Sequence, residues 1–215
     1  MTGGALTARC PGMTLPLPTP LDSDIQAIIF DCDGTLADTF GAHFRAFRAL
    51  LADYRIAFEA EFYHTRLGLS RYQLLEDLKQ SQGAFDEQAV VDRNTDAFLA
   101  HRSAIRAIPY THGILHSHHG KLKLGVASGG QKDIVTATLQ AVGVYDLLDT
   151  VVTLEDTGIG KPAPDLYLLA AKQLGVEPGF VQVYEDSDEG VEAAERAGMR
   201  VIDIRPYYQT DPSLW

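Results

Sequence analysis

The second half of the chain alternates short apolar runs with helical patterns, and this alternation constrains the fold more than any other feature. After Pro109 the candidate strands are residues 123–127, 150–153, 181–184 and 200–204. The helices predicted between them span residues 131–142, 164–174 and 189–197. Gly175 and Gly198 follow the last two helices, as is typical of helix C-termini. Strands that alternate with helices in this way predict a Rossmann-like α/β fold, which is a doubly wound parallel sheet.

The first strand of this sheet is expected near the start of the chain. Residues 25–30 form an almost continuous apolar run, and the sequence that follows, Asp31-Cys32-Asp33-Gly34-Thr35, is typical of a turn. Because the run is apolar on both faces, it fits a buried parallel strand.

Residues 40–108 have a different pattern, in which apolar residues are spaced three and four apart as in amphipathic helices. Phe44, Phe47 and Leu51 are examples of this spacing. Since no strand pattern interrupts this stretch, we expect an all-helical insert. The predicted organisation is a disordered extension over residues 1–24, a core formed by residues 25–39 and 109–215, and a helical cap over residues 40–108.

The charge and cysteine content exclude several classes of protein. The 215 residues carry a formal net charge of −11, with 18 Lys and Arg against 29 Asp and Glu, so no basic stripe is available for nucleic acid. The apolar stretches are too short to span a membrane, and residues 1–20 lack the pattern of a signal peptide. Cys10 and Cys32 form neither a CxxC pair nor a disulfide framework, so we expect a reducing compartment, the cytoplasm.

Chemically useful residues follow each predicted strand. They are Asp31 and Asp33 after the first strand, Ser128, Gly129 and Gly130 after the second, Lys161 in the loop after the third, and Glu185, Asp186 and Asp188 after the fourth. In a doubly wound sheet, ligands bind beyond the carboxyl ends of the strands, where these residues would meet. The sequence therefore predicts one site that contains carboxylates, a hydroxyl with backbone amides, and a cation.

The acidic residues of this site indicate a metal ion. Asp31 and Asp33 are two positions apart, so in extended geometry both carboxylates face the same side, with Glu185 and Asp186 nearby. Carboxylates so close together repel each other unless a proton or a cation lies between them. Mg²⁺ is the expected cation because it prefers a few carboxylates together with water and phosphate oxygens. Together with Lys161 and Ser128, this set of groups suits phosphoryl transfer through a carboxylate nucleophile.

Four segments that carry these residues resemble the four motifs of the haloacid dehalogenase superfamily. Residues 31–39 (DCDGTLADT) are similar to the first motif, Ser128 to the second, residues 160–165 (GKPAPD) to the third, and residues 185–190 (EDSDEG) to the fourth. The resemblance covers about residues 25–205 and includes the position of a helical cap after the first motif.

The resemblance implies a role for each residue of the site. Asp31 would attack phosphorus and become an aspartyl phosphate, and Asp33 would act as general acid and then as general base. Ser128 and Lys161 would bind the transferring phosphoryl group. The Mg²⁺ ligands would be Asp31, the backbone carbonyl of Asp33, Asp186 and Glu185.

Within the superfamily, the chain is most similar to the branch of β-phosphoglucomutases and sugar-phosphate phosphatases. Residues 43–50, which begin with His43, resemble the first cap helix of that branch, and residues 67–71 (LGLSR) resemble its substrate-specificity loop. His43, Gly68, Ser70 and Arg71 are therefore candidate substrate-binding residues. The chain departs from the mutases at Gly130 and Gln131, where they usually carry serine and lysine.

These observations predict a Mg²⁺-dependent phosphatase that acts on a small phosphorylated metabolite, with sugar phosphates as the first candidates. A phosphomutase of the β-phosphoglucomutase type is the alternative, and a catalytically silent binding protein on the same fold is a third hypothesis. The resemblance implies a monomer.

Overall fold

The computed structural model describes residues 20–67, 69 and 71–215. Residues 1–19 of the predicted disordered extension lie outside the described residues. Asp22 and Asp24, at its other end, are described and form ion pairs with Arg200, at 3.2 Å and 2.7 Å respectively.

Seven strands are present in the described residues. In chain order they are β1 (Ala27–Phe30), β2 (Ala37–Asp38), β3 (Arg106–Ala107), β4 (Lys123–Ala127), β5 (Thr150–Val152), β6 (Val181–Glu185) and β7 (Arg200–Asp203). Five of them form one sheet in the order β5-β4-β1-β6-β7, and every neighbouring pair is parallel. In the register of the central strand, Ile28 lies opposite Leu124 on one side and Gln182 on the other. This sheet confirms the predicted Rossmann-like fold.

Nine α-helices accompany the strands in the described residues. They are α1 (Phe40–Ala52), α2 (Ala60–His64), α3 (Arg71–Gln82), α4 (Glu87–Ala100), α5 (Pro109–His118), α6 (Lys132–Ala141), α7 (Leu154–Thr157), α8 (Asp165–Leu174) and α9 (Asp188–Arg196).

The sheet is covered on both faces because β1 is apolar on both. Ala27 and Ile29 pack in one core cluster with residues of α8 and α9, whereas Ile28 and Phe30 pack in another with residues of α5 and α6. All four β1 side chains are completely buried. A strand buried on both sides needs a continuous apolar run, which is the pattern that predicted it.

Helices α1 to α4 form the cap and enclose a separate aromatic and aliphatic core. Phe44, Phe47 and Leu51 belong to this core, as their helical spacing predicted. Trp215 also packs against it, with ring centroids 5.7 Å from Phe44 and 5.4 Å from Tyr63.

The chain enters and leaves the cap through a small antiparallel pair of strands, β2 and β3, which align Ala37 with Ala107 and Asp38 with Arg106. Strand β3 lies within the stretch that was expected to contain no strand. Its two residues are both exposed, and a pair of residues is too short to show alternation. We therefore find one strand where the sequence predicted only helices.

No helix in the described part of the chain has the length and apolar character needed to cross a membrane.

Candidate active site

The predicted site residues meet at the carboxyl edge of the sheet, beneath the cap. The strands β1 and β6 are neighbours in the sheet, but the chain continues from β1 toward one edge, to β4, and from β6 toward the other edge, to β7. Where the strand order reverses in this way, a crevice opens between the two neighbouring strands. A cavity of about 460 Å³ occupies this position. Core residues Asp31, Ser128 and Lys161 and cap residues His43 and Arg71 line it together.

Lys161 is the cationic centre of the site. Its Nζ lies 2.6 Å from Asp31 Oδ1 and 2.5 Å from Glu185 Oε1, and its side chain is only 9% exposed. Burial alone would lower the pKa of Lys161, but the two carboxylates outweigh burial and raise the pKa well above the usual value. The ammonium group therefore stays charged and holds the nucleophile candidate beside β6.

Asp31 follows β1 directly and is buried. Burial, together with the charges of Glu185 and Asp33, raises the pKa of Asp31 to about 7, although Lys161 acts in the opposite direction. A second cation near Asp31 would favour the carboxylate form, which is the form that can act as a nucleophile.

Glu185 is held in place by several donors. Its Oε2 accepts hydrogen bonds from the backbone N–H groups of Asp186 and Ser187, at 2.6 and 2.8 Å, and from Ser187 Oγ at 3.0 Å. The hydroxyl of Tyr167 donates to Oε1 at 3.2 Å. Burial would raise the pKa of Glu185, but Lys161 and the bonds from Ser187 outweigh it, so the pKa is lowered. Glu185 is therefore a fixed anion at neutral pH.

Asp186 faces the same space. Its Oδ1 accepts a hydrogen bond from Thr35 Oγ1 at 3.1 Å. Burial and the charges of Asp31 and Glu185 raise the pKa of Asp186 well above its usual value. Gly34, with φ of +88°, lies so close to Asp186 that a Cβ at position 34 would overlap its carboxylate. The turn after β1 therefore requires glycine at this position.

The donor set fits a hard divalent cation. Carboxylate oxygens of Asp31, Glu185 and Asp186 lie within 4.8 Å of one another, and oxygen ligands are those that Mg²⁺ prefers. The Asp33 carboxylate is outside this group, and its Oδ1 is buried without a hydrogen-bond partner in the described part of the chain. A ligand role for Asp33 would thus use its backbone carbonyl, as the family resemblance implies, and leave the carboxylate available for proton transfer.

The loop after β4 supplies polar groups to the same cavity. Ser128 is buried, its Oγ accepts a hydrogen bond from the Gly130 N–H at 3.1 Å, and Gly129 beside it is exposed to the cavity. A Cβ on Gly130 would lie 3.5 Å from Asp33 Oδ2, so this loop and the general-acid candidate are close together.

The cap contacts the core through the next residue of that loop. Gln131 Oε1 accepts a hydrogen bond from Thr95 Oγ1 of α4 at 2.9 Å, and Arg71 Nη1 of α3 lies 3.4 Å from the same oxygen. His43 lines the cavity and packs on Phe98 with ring centroids 4.4 Å apart. Burial lowers the pKa of His43, with the charge of Asp33 acting in the opposite direction and that of Arg71 in the same direction.

Two predicted substrate-binding residues, Gly68 and Ser70, lie outside the described residues. The structure also places at the site residues that the sequence analysis did not select, among them Tyr167, Thr35 and Asn94. For Asn94 a signal exists: Val90, Asn94 and Phe98 are four residues apart, so a polar residue interrupts an apolar helix face.

Fold and site together define a class, the doubly wound α/β enzymes with a carboxylate and lysine centre beneath a helical cap. A family model described as haloacid dehalogenase-like hydrolase matches residues 28–204. The chain belongs to this family, which confirms the identification made from the four motifs.

Individual relatives agree with this assignment. The chain is 31% identical over 180 residues to fructose-1-phosphate phosphatase YqaB of Escherichia coli K12, covering 83% of this chain and 95% of that protein. It is 26% identical over 190 residues to β-phosphoglucomutase of Bacillus subtilis, covering 84% and 83%. The crystal structure of CbbY from Rhodobacter sphaeroides in complex with phosphate aligns with a TM-score of 0.70 and 27% identity, covering 82% of this chain and 84% of that one. These names support the expected enzyme class, the phosphoric monoester hydrolases.

Proposed function

We propose that the protein is a Mg²⁺-dependent phosphatase that hydrolyses a small sugar phosphate through an aspartyl phosphate on Asp31. The observation that carries the proposal is the pairing of buried Asp31 with Lys161, next to the acidic group of Asp31, Glu185 and Asp186, inside a capped cavity. The relatives named as sugar-phosphate enzymes support the choice of substrate class.

In the first step, an oxygen of Asp31 forms a bond to phosphorus while the bond between phosphorus and the sugar oxygen breaks. Asp33, whose buried Oδ1 has no partner among the described residues, gives its proton to the departing sugar oxygen. Lys161, Ser128 and the Gly129 N–H bind the phosphoryl oxygens and stabilise the charge on them. Mg²⁺, held by Asp31, Asp186, Glu185 and the Asp33 carbonyl, would supply further positive charge to the phosphoryl group.

In the second step, a water molecule attacks phosphorus of the aspartyl phosphate and the bond to Asp31 breaks. Asp33, now ionised, takes the proton of this water, and inorganic phosphate leaves. The cap limits access of bulk water and of large substrates to the cavity, which favours small phosphate esters over phosphorylated proteins.

The test is phosphate release from a panel of sugar phosphates with Mg²⁺, by the wild type and by Asp31→Asn. We expect turnover that a chelator abolishes and that Asp31→Asn lowers by about 10³-fold or more, because the amide is a poor nucleophile. Asp146→Asn, the same change at an exposed position of the core, is the matched control and should behave as the wild type.

Two results would contradict the proposal. One is absence of phosphate release from every compound, and the other is full activity of Asp31→Asn. Conversion of a hexose 1-phosphate to the 6-phosphate without net phosphate release would instead identify a phosphomutase.

A further inference from the structure

The cap side of the cavity contains a buried polar group that the proposed mechanism does not use. Asn94 lies on α4, is 3% exposed and lines the cavity. Its Nδ2 has no hydrogen-bond partner among the residues that the structure describes. A buried N–H donor without a partner is unfavourable, and such groups in folded proteins indicate a missing ligand or a functional constraint.

Unpartnered polar atoms are concentrated in this one cavity. In the described part of the chain, five buried side-chain polar atoms have no partner, and three of them belong to residues that line it: Asp33, Thr39 and Asn94. Asp33 has a role at the reacting end. Thr39, directly before α1, and Asn94 on α4 are uncharged groups contributed by the cap and its junction.

The charges around the cavity indicate what Asn94 would bind. Lys161 is engaged by two carboxylates, and Arg66, which also lines the cavity, is paired with Asp77 at 3.0 Å. Arg71 is the cation of the cap that faces Gln131. Because a buried phosphate needs cationic partners and a carboxamide has no charge, Asn94 is unsuited to a second phosphate. A hydroxyl group suits it, because an uncharged hydroxyl oxygen can accept a hydrogen bond from the amide N–H.

We propose that Asn94 is a specificity-determining residue that hydrogen-bonds a hydroxyl of the non-transferred part of the substrate. The substrate class is then a polyhydroxylated phosphate monoester. The inference rests on the proposed function, which it makes more specific.

The kinetic test compares a sugar phosphate identified by the panel with phenyl phosphate, which has no hydroxyl to offer. Asn94→Leu removes the polar group at similar size. We expect kcat/KM for the sugar phosphate to fall by about 10- to 100-fold and kcat/KM for phenyl phosphate to change by about twofold or less. Gln88→Leu makes the same exchange on the exposed face of α4 and should alter neither value.

A spectroscopic test is independent of turnover, because Asn94 is the only asparagine of the chain. Labelling with ¹⁵N-asparagine gives a single side-chain NH₂ pair in the NMR spectrum of the wild type. We expect this pair to shift when the phosphonate analogue of the sugar phosphate is added with Mg²⁺, and to shift much less with phenylphosphonate.

The two proposals fail in different ways. Equal losses of kcat/KM on both substrates in Asn94→Leu, or equal NMR shifts with both phosphonates, would overturn the role of Asn94 and leave the phosphatase assignment intact. A wild type that releases no phosphate would overturn the proposed function. In that case an NMR shift with the sugar phosphonate but not with phenylphosphonate would still support hydroxyl binding at Asn94. Absence of that selective shift would reject hydroxyl binding at Asn94.

Discussion

At the scale of single residues, the site depends on a glycine that makes room for a carboxylate. Gly190 lies in the first turn of α9, and a Cβ on it would overlap the carboxylate of Glu185. Glu185 in turn fixes Lys161 beside Asp31. Glu185 can therefore be buried behind the nucleophile only if position 190 carries no side chain.

We expect Gly190→Ala to reduce both stability and activity. The added methyl group would displace Glu185 and loosen its ion pair with Lys161, at a cost of about 1–3 kcal/mol in the free energy of unfolding. Phosphate release should fall with it, because Lys161 would no longer be held at Asp31. Urea unfolding and turnover of the best panel substrate measure the two effects.

Gly113→Ala provides the matched control. Gly113 is also helical, in α5, but a Cβ there meets no atom within 4 Å. Since alanine is favoured over glycine inside a helix, this variant should be more stable by about 0.5–1 kcal/mol and fully active. If both variants gained stability, the claim that Glu185 requires glycine at position 190 would be wrong.

The residues that the sequence analysis could select are those whose position follows from the end of a strand. Asp31, Ser128 and Asp186 are of this kind, and the structure brings all three to one cavity. Tyr167 and Asn94 could not be selected in the same way, because helix residues reach the site only through tertiary packing.

At the scale of secondary-structure elements, the short helix α7 fixes the start of the loop that carries Lys161. A capping box closes its first turn: the Thr153 N–H and hydroxyl both donate to Asp156 Oδ2, at 2.8 and 2.9 Å. Gly158, in the left-handed conformation with φ of +67°, ends the helix three residues before Lys161. The start of this loop is therefore fixed by hydrogen bonds to one carboxylate.

The capping box predicts a pH-dependent contribution to stability. The Thr153 N–H, with its hydroxyl and Lys132, holds the pKa of Asp156 below the ordinary value of 3.8. A lowered pKa means that the contribution is present above 3.8 and is lost as the pH falls through the pKa of the folded state. We expect Asp156→Ala to cost about 1 kcal/mol at pH 7, a typical value for loss of a helix cap, and less below pH 3.8.

Urea unfolding of the wild type and the variant across this pH range measures the difference. Asp146→Ala, at an exposed acid with no capping role, should show no pH-dependent difference from the wild type. A cost of Asp156→Ala that stays constant down to pH 3 would contradict the assignment.

Elements were predictable where they are long and uniformly patterned. Strand β4 has the predicted bounds, and Gly175 ends α8 in the left-handed conformation, as its position suggested. Helix α7 and strands β2 and β3 have two to four residues each, too few to establish a period. Helix α5, which contains Pro109 and several histidines, was not among the helices predicted for the core.

At the scale of the whole molecule, the last residues of the chain connect the two parts. The hydroxyl groups of Tyr208 and Thr210 donate to Asp38 Oδ2 of β2, at 2.6 and 2.7 Å. Beyond them, Trp215 reaches the aromatic core of the cap. Residues far apart in sequence thus complete the cap and the junction that carries it, and no local pattern could have predicted this contact.

We expect Trp215→Ala to destabilise the protein by about 2–3 kcal/mol, somewhat below the cost of deleting a fully buried tryptophan because Trp215 is only partly buried. Thermal unfolding followed by circular dichroism measures the change. The neighbouring Leu214, 49% exposed, provides the control, since Leu214→Ala should have little effect. Equal destabilisation by both variants would show that the contact of Trp215 with Phe44 and Tyr63 does not contribute to the free energy of unfolding.

The position of Trp215 also limits how this enzyme could exchange its cap for that of another family member. The β2–β3 pair is a natural place to cut, because the chain passes between core and cap there. Yet a recombinant that received a foreign segment between these strands would keep its own tryptophan, shaped to fit Phe44 and Tyr63 of the cap it had lost. Successful transplantation, in the laboratory or in evolution, would have to transfer the distant C-terminal segment together with the helices.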